Sequence, residues 1–144
     1  MDKLYFDFNE LFHSDIAKER GINNTTSSPT ILTRLTQLVF YCLNPLRQKL
    51  GLPISIECAY RCAKLNEILK GAATGHPEGY CADIKVSGMT QVQLFDFIRK
   101  LGIEYDQLIL EHNKDGDCVH IGYRHNNNRK QTMVRDIKGN YKNV

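Results

Sequence analysis

The sequence has no tryptophan, only 4 prolines among 144 residues, and no long apolar run. Because a membrane-spanning helix needs about 20 consecutive apolar residues, none is predicted here. Residues 1–7 lack the basic and then apolar pattern of a signal peptide. The 5 cysteines are odd in number and irregularly spaced, which favours reduced thiols over a disulfide framework. These absences predict a protein that is made in the cytoplasm and is not a membrane protein.

Charge is unevenly distributed along a chain of otherwise ordinary globular composition. Hydrophobic residues make up 42% of the chain and charged residues 24%, which suits one domain with its own core. The net charge of +3 arises late, since residues 124–144 carry six Lys or Arg and one Asp. We therefore divide the sequence into a domain over residues 1–125 and a basic tail over residues 126–144. Such a tail is typical of a solvated, partly mobile terminus or of a segment that binds polyanions.

Helix signals are strongest in two segments. A serine before a proline, followed by apolar residues at three- and four-residue spacing, predicts a long core helix over residues 29–50 with a kink at Pro45. Thr90 and Gln93 form a capping box for a later helix, which ends at Gly102. The predicted apolar stripe of this later helix consists of Val92, Phe95, Ile98 and Leu101.

Strand signals follow the long helix. Strands are predicted over residues 53–58, 80–86, 106–111 and 118–123. In the second of these, alternation places Asp83 on the face opposite the apolar stripe. The Asp115-Gly116 step is a hairpin signal and, as the centre of the turn, pairs residue 111 with residue 120. The sequence therefore predicts an α+β protein in which amino-terminal helices pack on a mostly antiparallel sheet.

Two histidines and one aspartate are candidate metal ligands. His76 lies in a loop, Asp83 follows seven residues later in a strand, and His120 lies in the last predicted strand. A turn at Gly79 allows the loop to fold back over the strand. Two imidazoles and one carboxylate leave a fourth tetrahedral position open, which is typical of hydrolytic rather than structural zinc sites. The pattern therefore favours a catalytic zinc site.

Several motifs resemble those of the zinc D-Ala-D-Ala carboxypeptidases and related peptidoglycan endopeptidases. The family signature Ser-x-His-x-x-Gly-x-Ala-x-Asp is similar to residues 74–83, Thr-Gly-His-Pro-Glu-Gly-Tyr-Cys-Ala-Asp, and its later histidine strand to residues 118–121, Cys-Val-His-Ile. The segments Asn-Pro-Leu-Arg at 44–47, Ala-Tyr-Arg-Cys at 59–62 and Tyr-Asp-Gln-Leu-Ile at 105–109 also resemble family motifs. The resemblance covers residues 6–124, and Phe-Asn-Glu-Leu at 8–11 with Ser14 and Asp15 resembles small phage-type and bacterial members.

This resemblance implies a hedgehog-like fold of the DD-peptidase type and a bound zinc ion. It assigns the zinc to the two histidines and the aspartate named above. Thr74 stands where the family has a substrate-binding serine, and it keeps the hydroxyl group. Cys81 and Cys118 stand where alanine and tryptophan are often found, and neither change removes a ligand.

A zinc hydrolase also needs a base, for which two carboxylates compete. The family uses a carboxylate near the last histidine, and in several members the position corresponds to Asp117. Glu111 is the alternative, because the predicted register makes it the cross-strand neighbour of His120 on the same face. We favour Glu111. The structural alternative for Asp117 is a turn residue that caps its own backbone. For Glu111 it is a solvated residue at the end of a strand.

Arg61 lies at a turn where the resemblance implies a functional arginine. Its guanidinium group suits a terminal carboxylate or a developing oxyanion, and together with Thr74 we expect it to orient the substrate. The structural alternative is an arginine that ties the loop to the sheet. The cysteines lack the paired spacing of a thiolate zinc site, so none is predicted. The remaining histidines are interpreted as surface residues: His13, His112 and His125.

The leading hypothesis is a zinc metallopeptidase of the D-Ala-D-Ala carboxypeptidase or peptidoglycan endopeptidase type. It would cleave peptide bonds next to D-amino acids in peptidoglycan stem peptides. Without a signal peptide, such an enzyme is expected to reach the cell wall after release, as a phage endolysin does. We expect a monomer.

Two other functions predict different behaviour. The first is a non-catalytic zinc-bearing module that binds cell-wall or other polyanionic partners, since hedgehog domains resemble this fold and lack peptidase activity. A carboxylate within reach of the metal favours the enzyme over this module. The second, which we favour least, is a nucleic-acid-binding protein that uses the basic tail and binds DNA with steep salt dependence.

Overall fold

The computed structural model describes residues 4–72 and 74–144. The helices are α1 (Phe8–Phe12), α2 (Asp15–Glu19), α3 (Pro29–Leu38), α4 (Asn44–Leu50), α5 (Ala63–Ile68) and α6 (Gln91–Leu101). The strands are β1 (Ser55–Cys58), β2 (Cys81–Lys85), β3 (Gln107–Asn113), β4 (Gly116–Gly122), β5 (Gln131–Arg135) and β6 (Tyr141–Asn143). In these two ranges, no helix has the length and apolar character that crossing a membrane requires. The predicted α+β class is confirmed.

One almost continuous helix runs from α3 through α4. Its first turn is capped by Ser28 Oγ, which accepts a hydrogen bond from the Ile31 N–H at 3.3 Å. A π-helical segment, Val39–Leu43, joins α3 to α4. This wider turn comes immediately before Pro45, which has no N–H to donate. Gly51, with φ of 73°, ends the helix, so the predicted long helix with a distortion near the proline is confirmed.

The core lies between the helices and one face of the sheet. Its fully buried members include Leu35, Leu38, Leu43, Leu46, Ile84, Leu108, Val119 and Ile121. Burying each of these side chains contributes roughly 1.5–3 kcal/mol to stability. α6 joins the core through Leu94, Phe95 and Ile98. Val92 is 43% exposed, so its predicted place in the apolar stripe is wrong, because it lies on the outer side of the first turn.

The sheet has six strands in the order β1-β2-β4-β3-β5-β6. The β3–β5 pair is parallel and every other neighbouring pair is antiparallel. In these registers Asp83 on β2 is the Cα partner of His120 on β4, which is in turn the partner of Ile109 on β3. Asp83 and His120 therefore lie next to each other on the face that is turned away from the core.

The β3–β4 hairpin differs from its predicted register by two residues. Glu111 pairs with Cys118 rather than with His120. An Asp-Gly turn centre needs a positive φ at both residues, but Asp115 is not among the residues with positive φ, whereas Gly116 has φ of 121°. Because side chains alternate with a period of two, this shift leaves Glu111 and His120 on one face.

The segment predicted as a basic tail contains two strands. β5 pairs with β3, and β6 pairs with β5, so residues 131–135 and 141–143 extend the sheet. Asp106, which is only 3% exposed, accepts hydrogen bonds from Arg129 Nε and Nη2 at 3.0 and 2.8 Å. It also accepts one from Arg124 Nε at 3.3 Å. Residues 131–135 and 141–143 are therefore paired within the sheet, and the division into a domain and a basic tail stays a prediction.

Candidate metal centre

Three candidate ligands lie side by side on the polar face of the sheet. His120 Nδ1 lies 3.0 Å from Asp83 Oδ1. His76 approaches from a single 3-10 turn before β2, and its Nε2 lies 3.3 Å from Asp83 Oδ2. The two imidazole rings are 5.1 Å apart between centroids and nearly perpendicular, at 77°. The structure thus brings His76, Asp83 and His120 together.

The loop that carries His76 is shaped by a glycine and a buried hydrogen bond. Gly79 has φ of 82°, and a Cβ on it would lie 3.0 Å from the Ile31 carbonyl oxygen, so a side chain does not fit there. His76 Nδ1 lies 2.6 Å from the Ala59 carbonyl oxygen. Because a carbonyl only accepts, Nδ1 carries the hydrogen, and Nε2 is the nitrogen available to a metal ion.

Burial and charge act against each other at these three residues. Burial lowers the pKa of His120, but Cys81 and Asp83 raise it more, to about 10. Burial also lowers the pKa of His76, and the same two neighbours raise it well above 6.5. For Asp83 burial raises the pKa, yet the two histidines hold it far below its usual range. Asp83 thus lies where positive charge is stabilised. A divalent cation bound there would take the place of the protons on the two imidazoles.

Thiol groups adjoin this centre. The donor atoms of His76, Cys81 and His120 lie within 4.8 Å of one another, as do those of Cys58, His76 and Asp83. Burial raises the pKa of Cys81, but the two histidines lower it to about 7 overall. The spacing of the cysteines predicts no thiolate site. Strand alternation is nevertheless a signal for Cys81, because Cys81 precedes Asp83 by two residues and shares its face.

The two candidate bases lie on opposite faces of the hairpin. Glu111 Oε1 lies 3.9 Å from His120 Nδ1. Burial raises the pKa of Glu111, and the charge of Asp83 raises it further. Asp117 is the Cα partner of His112, and its Oδ1 lies 2.7 Å from His112 Nδ1. The structure therefore brings Glu111 to the metal ligands and directs Asp117 away from them.

Arg61 lies against Asp83 and is held on several sides. Its Nε donates to Cys58 Sγ at 3.1 Å, its Nη1 donates to Asn66 Oδ1 at 3.5 Å, and its Nη2 lies 3.6 Å from Asp83 Oδ2. Asn66 Nδ2 also donates to the Ala72 carbonyl at 3.0 Å. Asn66 is not among the predicted site residues, although a buried polar side chain on a short helix is a signal for such a positioning role.

These residues open into a cleft of about 740 Å³. At one end the cleft is lined by Arg61, Thr74, His76, Asp83, Glu111 and His120. Thr74 is exposed at the rim. The opposite wall comes from the carboxyl-terminal segment, including Arg129, Arg135 and Tyr141. The cleft therefore spans the sheet from β2 to β6.

Comparison with known proteins agrees with this geometry. The family model described as peptidase M15 matches residues 4–122. The chain belongs to the peptidase M15 family. This family consists of zinc-dependent metallopeptidases that act on peptidoglycan peptides, and the predicted resemblance is confirmed. A search of curated proteins finds no match. The matched region ends before β5, so β5 and β6 lie outside it.

Proposed function

We propose that this M15 peptidase hydrolyses peptide bonds next to D-amino acids in peptidoglycan stem peptides, as the lytic enzyme of a phage that acts on the cell wall after release. One observation carries the proposal. His76 Nε2, His120 Nδ1 and the Asp83 carboxylate converge beside Glu111 in an open cleft. This donor set suits a zinc ion that retains an open coordination position.

The surroundings of each residue favour a particular role. His76, Asp83 and His120 would hold zinc, and the chemistry that zinc supplies in such a site is that of a Lewis acid, which polarises a carbonyl group and acidifies water. Glu111 would accept the proton of the attacking water and pass it to the leaving amine. Its raised pKa suits this exchange, because a carboxyl group of higher pKa moves protons more effectively near neutral pH.

Arg61 and Thr74 would orient the peptide. The contacts of Arg61 with Cys58 and Asn66 restrict the guanidinium group before substrate arrives, which reduces the entropy lost on binding. The hydroxyl of Thr74 is available at the rim. The cleft spans several strands rather than closing around one chain end, which favours the endopeptidase type.

The two other hypotheses have less support. A non-catalytic zinc module needs no carboxylate beside the ligands, whereas Glu111 Oε1 lies 3.9 Å from His120 Nδ1. Nucleic-acid binding by the carboxyl-terminal segment has less support because two of its cations, Arg124 and Arg129, are paired with Asp106.

Digestion of purified peptidoglycan tests the proposal. Products are identified by mass spectrometry, and we expect new amino and carboxyl termini next to D-amino acids. A chelator and His120→Ala should each lower the rate by roughly 10³-fold, because a metal ion supplies several kcal/mol to the transition state. His112→Ala, which changes a histidine on the opposite face, is the matched control and should retain activity. Full activity of His120→Ala would refute the zinc mechanism.

A further inference from the structure

The carboxyl-terminal strand β5 places an arginine beside the proposed base. Glu111 on β3 and Arg135 on β5 are Cα partners. Tyr141 on β6 is the next partner in the same row. Paired residues of neighbouring strands direct their side chains to the same face of a sheet, and all three residues line the cleft. The row therefore connects the candidate metal centre with the far wall.

Arg135 differs from the other arginines of the cleft in its partners. Its Nη1 donates to Asn113 Oδ1 at 3.0 Å. Among residues 4–72 and 74–144, no carboxylate forms an ion pair with it. The other arginines are held by carboxylates: Arg61 by Asp83, and Arg124 and Arg129 by Asp106. Within the described residues, the positive charge of Arg135 in the cleft is therefore not balanced by a carboxylate at contact distance.

The surroundings of Arg135 restrict its guanidinium group. Besides the bond to Asn113, a Cβ on Gly139 would lie 3.5 Å from Arg135 Nη2, so the β5–β6 turn passes close to the group. Burial and Asp83 raise the pKa of Glu111, whereas Arg135 is among the cations that oppose this rise. The guanidinium group is therefore near the base and partly ordered before any ligand binds.

We propose that Arg135 binds a free carboxylate of the substrate peptide and so selects acidic stem peptides. A guanidinium group presents parallel N–H donors that match a carboxylate in two hydrogen bonds, and a lysine does not. The exposed ring of Tyr141, 57% accessible, lies next to it and offers an apolar surface to the same ligand. This inference rests on the proposed function for the identity of the peptide.

Sheet geometry sets the position of that carboxylate. Neighbouring strands are about 4.8 Å apart, so β5 lies roughly 10 Å from β4, the strand of His120. An extended peptide advances about 3.3–3.6 Å per residue. The carboxylate bound by Arg135 therefore belongs to a residue about three positions from the cleaved bond, or nearer when it is carried on a long side chain.

Binding of matched peptides tests this assignment. Two stem peptides, identical except that one free carboxylate is converted to a carboxamide, are titrated calorimetrically into full-length Glu111→Gln protein, and each carboxylate is tested in turn. For one of these carboxylates, we expect the peptide with the free acid to bind about ten-fold more tightly than the peptide with the carboxamide, as suits a charge-assisted pair. Adding Arg135→Gln should weaken binding of the acid by about ten-fold and leave the amide unchanged.

Two further variants separate recognition from folding. Arg135→Lys should keep part of the preference, because it retains the charge but not the paired donors. Lys138→Gln changes an exposed cation in the β5–β6 turn and should keep all of it. An equal loss for acid and amide in Arg135→Gln would indicate a structural role and overturn the proposal. An unchanged preference in that variant, or no binding of either peptide by the Glu111→Gln protein, would also overturn it.

Failure of this inference is distinguishable from failure of the proposed function. If the wild-type chain hydrolyses neither peptide but the acid preference depends on Arg135, the reaction is wrong and the binding role stands. If both peptides are hydrolysed with the same KM, the reaction stands and the role of Arg135 is wrong.

Discussion

The two ends of the cleft are built in different ways. At one end His76, Asp83 and His120 are largely buried and in contact, with 14% of the Asp83 and His120 side chains exposed. At the other end Tyr141 is exposed, and Arg135 is held mainly by one hydrogen bond. Chemistry requires reacting groups at set distances, whereas recognition of a distant charge tolerates some adjustment. Burial is therefore greatest where the reaction is proposed and lower where substrate selection is proposed.

The largest expected loss of activity follows from a substitution at the buried end of the cleft. It distinguishes the two carboxylates of the β3–β4 hairpin, Glu111 and Asp117. Glu111→Gln should lower kcat by roughly 10²–10⁴-fold, because a positioned general base contributes that much. Asp117→Asn should change kcat by less than about three-fold, since its partner His112 lies on the other face. Initial rates of peptide release are measured together with zinc content. Equal losses in the two variants would remove the distinction between the two faces.

The pH dependence of metal uptake tests the charge balance at the same end. Despite burial, Cys81 and Asp83 raise the pKa of His120 to about 10 and also raise the pKa of His76, so protons compete with a metal ion for both imidazoles. Zinc must displace these protons, and its affinity should rise with pH, about ten-fold per pH unit for each proton released between pH 6 and 8. Competition with a chromophoric chelator measures this. His112→Ala should leave the slope unchanged, and a flat profile would contradict the assigned ligands.

A smaller effect is expected where the two ends are joined. Asp106 lies just before β3 and binds Arg129, which lies just before β5. Asp106→Asn should lower the free energy of unfolding by about 2 kcal/mol, because charge-assisted hydrogen bonds to a buried carboxylate are lost. Urea denaturation measures this, with Asp96→Asn on the exposed side of α6 as the control. Equal stability of the two variants would show that the junction contributes little.

The same junction has a defined pH dependence. Burial raises the pKa of Asp106, but its bonds to Arg129 lower it more, so the folded value lies below the usual one. The stabilisation is therefore fully present above a pH of about 3.9 and disappears as the pH falls through the lowered pKa. Denaturation curves of wild type and Asp106→Asn should converge over that acidic range.

Local signals account for the parts of the fold that were predicted correctly. The capping box is present as predicted, with Thr90 Oγ1 accepting from the Gln93 N–H and Gly102 ending α6. The distortion before Pro45 follows from the chemistry of proline alone. The sequence pattern predicts neither β5 nor β6, because each is short and contains few apolar residues. Thr132 and Val134 alternate as in a strand, but that strand is stabilised only by pairing with β3, which lies far away in sequence.

The site was predictable to the extent that it depends on strand alternation. Alternation places Asp83 on the polar face and Glu111 on the same face as His120, although the predicted register differs from the observed one by two residues. A register error of two residues leaves each side chain on the same face of the sheet, because side chains alternate with a period of two. Strand alternation indicates that Cys81 shares the face of Asp83, but its approach to the two histidines and the contact of Arg61 with Asn66 depend on how separate segments pack.

The π-helical segment sets where the first long helix tolerates a change in length. A π-helical turn holds about one residue more than an α-helical turn, so Val39–Leu43 accommodates an extra residue while the helix on either side of it keeps facing the core. Deleting one residue within this segment would let regular α-helical winding replace the wide turn, and Leu46 would still face the core. Deleting one residue from the α-helical part before it would rotate everything that follows by about 100° and turn Leu46 toward water. The wide turn is therefore the stretch of this helix that best tolerates the loss of a residue.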